Sequence, residues 1–116
     1  GSYVRDFIYL EDVIMGIIYA LKYCNKLHKD YYYLTTDIGK SFNNLAKIIN
    51  SELFKIYKFT AKIKYKKWPN TSILLDKRSF VGNSFLFKKV TGWKSKYSLR
   101  SSIKHYIRNK KLQTNK

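Results

Sequence analysis

Arg5-Asp6-Phe7-Ile8-Tyr9-Leu10-Glu11-Asp12-Val13 decides the fold, because an apolar run of strand character passes without a break into an acid-fronted helix. Phe7, Ile8, Tyr9 and Leu10 are aromatic, branched or large and apolar, which suits a buried strand. Glu11 and Asp12 then put negative charge where unpaired backbone N–H groups and the helix dipole favour it. Val13, Ile14, Ile17, Leu21 and Cys24 follow at helical spacing and form one apolar stripe, expected to pack on a core. The uncharged run from Val13 to Leu21 is far too short to span a bilayer, so no membrane partner is expected.

A length of 116 residues, with one proline and 45% hydrophobic residues, bounds the chain to one compact domain with a modest core. Cys24 is the single cysteine and cannot form an internal disulfide. Its place on the apolar stripe predicts a small buried hydrophobe in a reduced compartment. No signal peptide or basic targeting segment opens the sequence, which points to a cytoplasmic location.

The net charge of +17 is unevenly spread. From Gly1 to Glu52 six basic residues balance six acids, whereas from Leu53 to Lys116 there are 18 Lys and Arg against Asp76 alone. Lys55, Lys58, Lys62, Lys64, Lys66 and Lys67 cluster in one stretch of that half. Such asymmetry suggests a polyanion partner, nucleic acid first. Against that stands composition: Lys, Asn, Ile, Tyr and Phe share A- and T-rich codons, and only four of the basic residues are Arg, whose planar fork suits phosphate and base recognition better.

Further along, Tyr31-Tyr32-Tyr33-Leu34-Thr35 suits a strand, and Asp37-Ile38-Gly39-Lys40 a turn before a helix capped by Ser41, with Phe42, Leu45, Ile48, Ile49 and Leu53 on its buried face. Gly39-Lys40-Ser41 is no nucleotide loop, because the position that needs an earlier glycine is Leu34. Ala61-Lys62-Ile63-Lys64-Tyr65-Lys66 alternates like a half-buried strand with a charged outer face, closed by Trp68-Pro69-Asn70. Gly92 is placed to end a short helix in a left-handed conformation, and Trp93 to anchor it to the core. Ser98 then caps a final helix that turns Leu99, Ile103, Tyr106 and Ile107 inward.

Two stretches carry a resemblance. The first is Arg5 to Val13, close to R-D-F-I-Y-V-E-D-V. The second is Asp76-Lys77-Arg78-Ser79-Phe80-Val81-Gly82-Asn83 followed by Lys88-Lys89-Val90-Thr91-Gly92-Trp93-Lys94-Ser95-Lys96-Tyr97-Ser98-Leu99, close to R-x-F-V-G-D-x-S-K-A-K-K-L-L-G-W-x-P-x-x-S-L. Their order and spacing resemble the C-terminal part of the NAD-dependent epimerase/dehydratase family, the extended short-chain dehydrogenases that act on sugar nucleotides, from Tyr3 to about Ile107. Asn83, Phe85, Leu86 and Ser95 depart from that pattern, where the family has aspartate, serine, lysine and proline.

The resemblance implies a small α/β substrate-binding portion, about three helices with several short strands, without the Rossmann cofactor domain. Residues 1–107 would form that portion and 108–116 a basic, disordered tail. It implies further that Arg5 and Arg78 grip the nucleotide diphosphate of a nucleotide-sugar substrate, a task for which forked guanidinium donors are suited. The intact family uses NAD(P), held by a glycine-rich turn, and a tyrosine-lysine pair. The five glycines here spell no G-x-x-G-x-x-G, and Tyr106-Ile107-Arg108-Asn109-Lys110 is a chance Y-x-x-x-K, so no cofactor and no turnover are expected of this chain alone. His28 and His105 with one cysteine have no metal-ligand spacing, and His105 reads as a surface histidine. The expected partners are the missing cofactor domain, or a second chain supplying it, and other copies of this chain through uncovered apolar faces. The alternative is a basic nucleic-acid-binding module.

Overall fold

Pairing begins three residues earlier than the apolar run implies. In the computed structural model, which describes residues 1–71, 73 and 77–114, strand β1 is Val4–Asp6 and pairs antiparallel with β2, Gly39–Ser41. The register sets Val4 against Ser41, Arg5 against Lys40 and Asp6 against Gly39. The expected strand from Phe7 to Leu10 is therefore replaced by an extended link. Tyr9 has extended dihedrals (φ −78°, ψ 143°), and helix α1, Leu10–Lys22, starts immediately after it. The three-residue β2 ends the ladder at Asp6, while Glu11 and Asp12 fix the first turn of the helix as expected.

Where a turn was expected over Asp37 to Lys40, the turn is confined to Asp37, which is left-handed (φ 63°), and Gly39 is already in the strand. A Cβ on Gly39 would lie 2.3 Å from Val4 Cγ1 and 2.6 Å from Val81 Cγ2, so only glycine lets the three segments close up. On its other edge β1 receives the returning chain: Phe80 N–H donates to Val4 C=O (2.9 Å), and Val4 N–H donates to Ser79 Oγ (3.0 Å).

Neither of the other two expected strands forms. Residues 31–35 and 61–66 lie outside any strand, since the sheet consists of β1 and β2 alone among the described residues and offers neither segment a ladder. Every residue from 59 to 71 is exposed.

Helix α1 is turned the other way from its hydrophobic pattern. The residues it buries are Asp12 and Gly16, and Leu34 covers Gly16 so closely that a Cβ there would meet Leu34 Cδ1 at 2.7 Å. Ile14, Ile17 and Leu21 are exposed, Leu21 at 71%, and Cys24, in a following 3₁₀ turn, is exposed as well, which corrects the expectation of a buried thiol. The orientation follows from Asp12: its carboxylate accepts from Lys96 N–H (2.8 Å) and Tyr97 N–H (3.0 Å), and its carbonyl accepts from Trp93 Nε1–H (3.1 Å). Three hydrogen bonds to Asp12, whose side chain is buried, hold the helix in this orientation although it leaves Ile14, Ile17 and Leu21 exposed.

Helix α2, Phe42–Tyr57, is capped as expected by Ser41, whose Oγ accepts from Asn44 N–H (3.2 Å). Helix α3, Phe85–Thr91, ends at left-handed Gly92 (φ 76°), and Trp93 is 2% exposed with its ring edge-on to Phe87 at 5.7 Å, both as expected. Helix α4, Leu99–Thr114, is capped by Ser98 Oγ, which accepts from Ser101 N–H (3.2 Å). It buries Ile107 but leaves Tyr106 outward, against expectation, and it continues through Thr114 across the segment expected to be a disordered tail. No glycine or proline interrupts residues 99–114, and the lysines and arginines there are good helix formers. The α2–α4 packing is pinned by buried Glu52, which binds Arg100 and Lys55 (3.1 Å). The result is a small mixed α/β domain of four α-helices and a two-stranded sheet among the described residues.

Candidate functional site

Arg5 and Arg78 are brought together, although 73 residues separate them. The mechanism is the second edge of β1: once Phe80 pairs in parallel with Arg5, the backbone of residue 78 has to pass the Arg5 side chain. Arg5 Nη1 donates to Val4 C=O (3.0 Å) and to Arg78 C=O, which orients its guanidinium against the ladder. The Arg78 guanidinium lies over the Phe80 ring, 5.8 Å from its centroid, on the exposed side of the same segment. Arg5 is part-buried, and directly opposite it across the ladder stands Lys40. Two cations facing each other on one face of a strand pair repel, and an anion placed between them relieves that cost.

Asp6, next in the chain, is committed elsewhere. Its carboxylate accepts from Thr36 N–H (3.0 Å), Thr36 Oγ1–H (2.6 Å) and Asp37 N–H (2.9 Å), and so builds the turn that feeds β2. Asp37 extends the network by accepting from Thr35 Oγ1 (2.8 Å), Ser84 N–H (2.8 Å), Ser84 Oγ (2.9 Å) and Lys88 Nζ (2.7 Å). Burial acts to raise its pKa, but the bonds from Lys88, Thr35 and Ser84 outweigh it and hold the carboxyl well below the usual range. Asn83, which stands where the resembled pattern has an acid, accepts from Phe85 N–H through Oδ1 (2.9 Å) at the start of α3.

Lys40 also walls a cavity of about 390 Å3 together with Phe7, Thr36, Ile38, Lys96 and Tyr97. Neither Arg5 nor Arg78 lines it; Lys40 is the link between the arginine pair and this space. Two lysines, several hydroxyls and a few apolar side chains make it polar enough to hold a charged small molecule and apolar enough to grip a ring.

A second group of chemistry-bearing residues escaped the sequence reading. Tyr9 O–H lies 2.7 Å from His105 Nδ1, Tyr97 O–H donates to Glu11 Oε2 (2.7 Å), and His105 Nδ1 is 3.7 Å from Glu11 Oε1. The three rings pack against one another, Tyr9 tilted against Tyr97 with centroids 4.8 Å apart, Tyr9 edge-on to His105 at 5.6 Å and Tyr97 tilted against His105 at 5.6 Å. Burial and the Glu11 charge push the Tyr9 phenol pKa up, and the hydrogen bond to Glu11 does the same for Tyr97, so both phenols stay neutral. His105 is thus the member of a packed cluster and not a lone surface histidine; only its position two turns into α4, facing Tyr9, could have signalled it. Among the described residues no group of three or more His, Cys, Asp or Glu side chains could hold a metal ion. No described helix is long and apolar enough to cross a membrane. Compared with family models, curated proteins and solved structures, the chain matches none.

Proposed function

We propose that this chain is the sugar-nucleotide-binding C-terminal portion of an NAD-dependent epimerase or dehydratase and holds the substrate's diphosphate between Arg5 and Arg78. One observation carries the reading: two arginines from distant parts of the sequence meet at one strand edge, opposite a third cation, Lys40. A diphosphate presents several charged oxygens close together, and an Arg5 guanidinium already oriented by the Val4 and Arg78 carbonyls, with the Arg78 guanidinium set over Phe80 beside it, would bind it with little further ordering. The cavity beside Lys40 would take the attached sugar or base, with Phe7 and Ile38 as its apolar side. In this reading NAD(P) and the tyrosine-lysine chemistry would come from a cofactor domain outside these 116 residues or from a second chain, and this chain would contribute substrate binding.

Calorimetric titration of the chain with uridine diphosphate and thymidine diphosphate tests it. Binding should fall by roughly 1.5–3 kcal/mol, about ten- to a hundredfold, in both Arg5→Ala and Arg78→Ala. Exposed Lys94→Ala should change it little, because exposed charges act weakly and are screened. Unchanged affinity in both arginine variants, or an equal loss at Lys94, sinks the reading.

A further inference from the structure

Residues 62–68, Lys62-Ile63-Lys64-Tyr65-Lys66-Lys67-Trp68, have an exposure that solvated lysines do not explain. The alternating pattern predicts Ile63 and Tyr65 turned inward, yet both are exposed, Tyr65 at 72%, and Trp68 is 46% exposed. The segment is nevertheless fastened at both ends. At one end the Asn50 amide mimics a backbone partner, Nδ2 donating to Ala61 C=O (2.9 Å) and Oδ1 accepting from Ala61 N–H (2.9 Å). At the other, Trp68 meets Tyr3 edge-on at 6.1 Å. Between them lies an open cavity of about 360 Å3, walled by Tyr3, Phe42, Lys64, Tyr65, Lys67 and Trp68.

Cations interleaved with ring faces held in water are the chemistry of a stacking platform. The lysines attract phosphates, and the rings accept any base, since every base has a π-face. Because the segment lies outside any helix or strand, it has no element to insert into a duplex groove, which favours a single strand. Lysine in place of arginine fits contacts to phosphate without base readout. We propose that residues 62–68 bind single-stranded nucleic acid without strong sequence preference, Lys62, Lys64, Lys66 and Lys67 following the phosphates and Tyr65 and Trp68 stacking on bases. This site is independent of the sugar-nucleotide reading.

The chain carries two tryptophans, and Trp93 is buried, so quenching on addition of an oligothymidylate of about 12 nucleotides reports Trp68. Anisotropy of the labelled oligonucleotide then gives affinities for variants. Wild type should quench and saturate, and four phosphate contacts should give a log–log salt slope near −3. Changing all four lysines to Ala should flatten that slope, whereas Tyr65→Ala and Trp68→Ala should each weaken binding roughly five- to hundredfold with the slope kept, and Trp68→Phe should restore most of it. Unchanged Trp93 emission in the Trp68 variants, where it is the one tryptophan left, and unchanged far-ultraviolet circular dichroism in the Tyr65 and lysine variants show that the fold survives. Three results overturn the proposal: no quenching of Trp68, polyphosphate binding as tightly as the oligonucleotide, or tighter binding to vesicles of anionic lipid. Equal loss in Arg5→Ala and in the lysine variant overturns it as well, since that marks diffuse attraction.

Discussion

At the scale of single residues, acids do more than cations to organise this chain, although it has only seven of them. Asp6 builds the turn into β2, Asp12 docks the 93–97 loop on α1, Asp37 ties that turn to α3, and Glu52 joins α2 to α4. Each gathers backbone N–H groups or cations from another part of the chain, so that one carboxylate holds two segments together. For Asp37 and Glu52 the hydrogen bonds overcome burial and lower the pKa from ordinary values of 3.8 and 4.5. A depressed folded-state pKa contributes stability that is complete above the unfolded value and disappears as pH falls through the folded one. Stability should therefore decline as pH drops below about 4, and Asp37→Asn combined with Glu52→Gln should be less stable at neutral pH with a flatter acid limb. Tyr9 and Tyr97 act in the opposite sense: their raised values give stability present below 10.0 and lost as the pH rises through the folded values. Denaturant unfolding across the pH range checks both limbs, and an acid limb identical in wild type and double variant would sink the assignment.

At the scale of elements, what was legible in the sequence is what is decided locally. The acidic start of α1, the Ser41 and Ser98 caps, the left-handed Gly92 and the Trp93 anchor all follow from the residues within one turn of the position concerned, and all are found. Strands were misread because a strand needs a partner, and residues 7–10, 31–35 and 61–66 have β character without a ladder to join. The facing of α1 was misread for a related reason: periodicity shows which face is apolar, but a buried carboxylate three residues into the helix decides which face turns inward. At the site, Arg5 and Arg78 could be paired from the two family-like stretches, whereas the link through Lys40 and the Tyr9–His105 contact depend on register and docking that no local pattern encodes. Local rules also locate a correctable flaw. Lys58 closes α2 in a left-handed conformation (φ 56°), donating its N–H to Phe54 C=O (2.9 Å), where glycine avoids the Cβ clash. Lys58→Gly should raise stability by about 0.5–1 kcal/mol, and Gly92→Ala, at φ 76°, should lower it by a similar amount. Paired thermal melts measure both, and shifts of the same sign would contradict the cap argument.

At the scale of the whole molecule, the surface is too large for the mass. An accessible area of 9098 Å2 exceeds by about 2,400 Å2 what a folded monomer of 13.9 kDa normally shows. The radius of gyration, 17.1 Å, is likewise above the roughly 13 Å expected of a compact domain of this length. Large apolar side chains contribute to the excess: Leu10, Ile14, Ile17, Ile18 and Leu21 of α1 are exposed, and only Phe87, Trp93 and Ile107 are buried hydrophobics among the described residues. An excess of that size matches one side of a large, permanent interface, and exposed patches of this kind mark surfaces that associate. Opposing association is a charge of +17, which repels like copies and is screened by salt. The two effects can be separated because only one depends on ionic strength in this direction. Sedimentation velocity should show species that grow with protein concentration, and more so at about 0.5 M than at 0.05 M salt, where the Debye length shrinks from above 10 Å to a few ångström. Ile17→Lys on the exposed face of α1 should reduce that growth with little change in the melting temperature, since the residue is 52% exposed and the apolar stem of lysine can cover what Ile17 covers. A single monomeric boundary at every concentration and salt, with cooperative unfolding, would show instead that three buried apolar anchors and two buried acids, Asp12 and Glu52, are enough to make this chain a self-sufficient domain, and that its apolar face needs no cover.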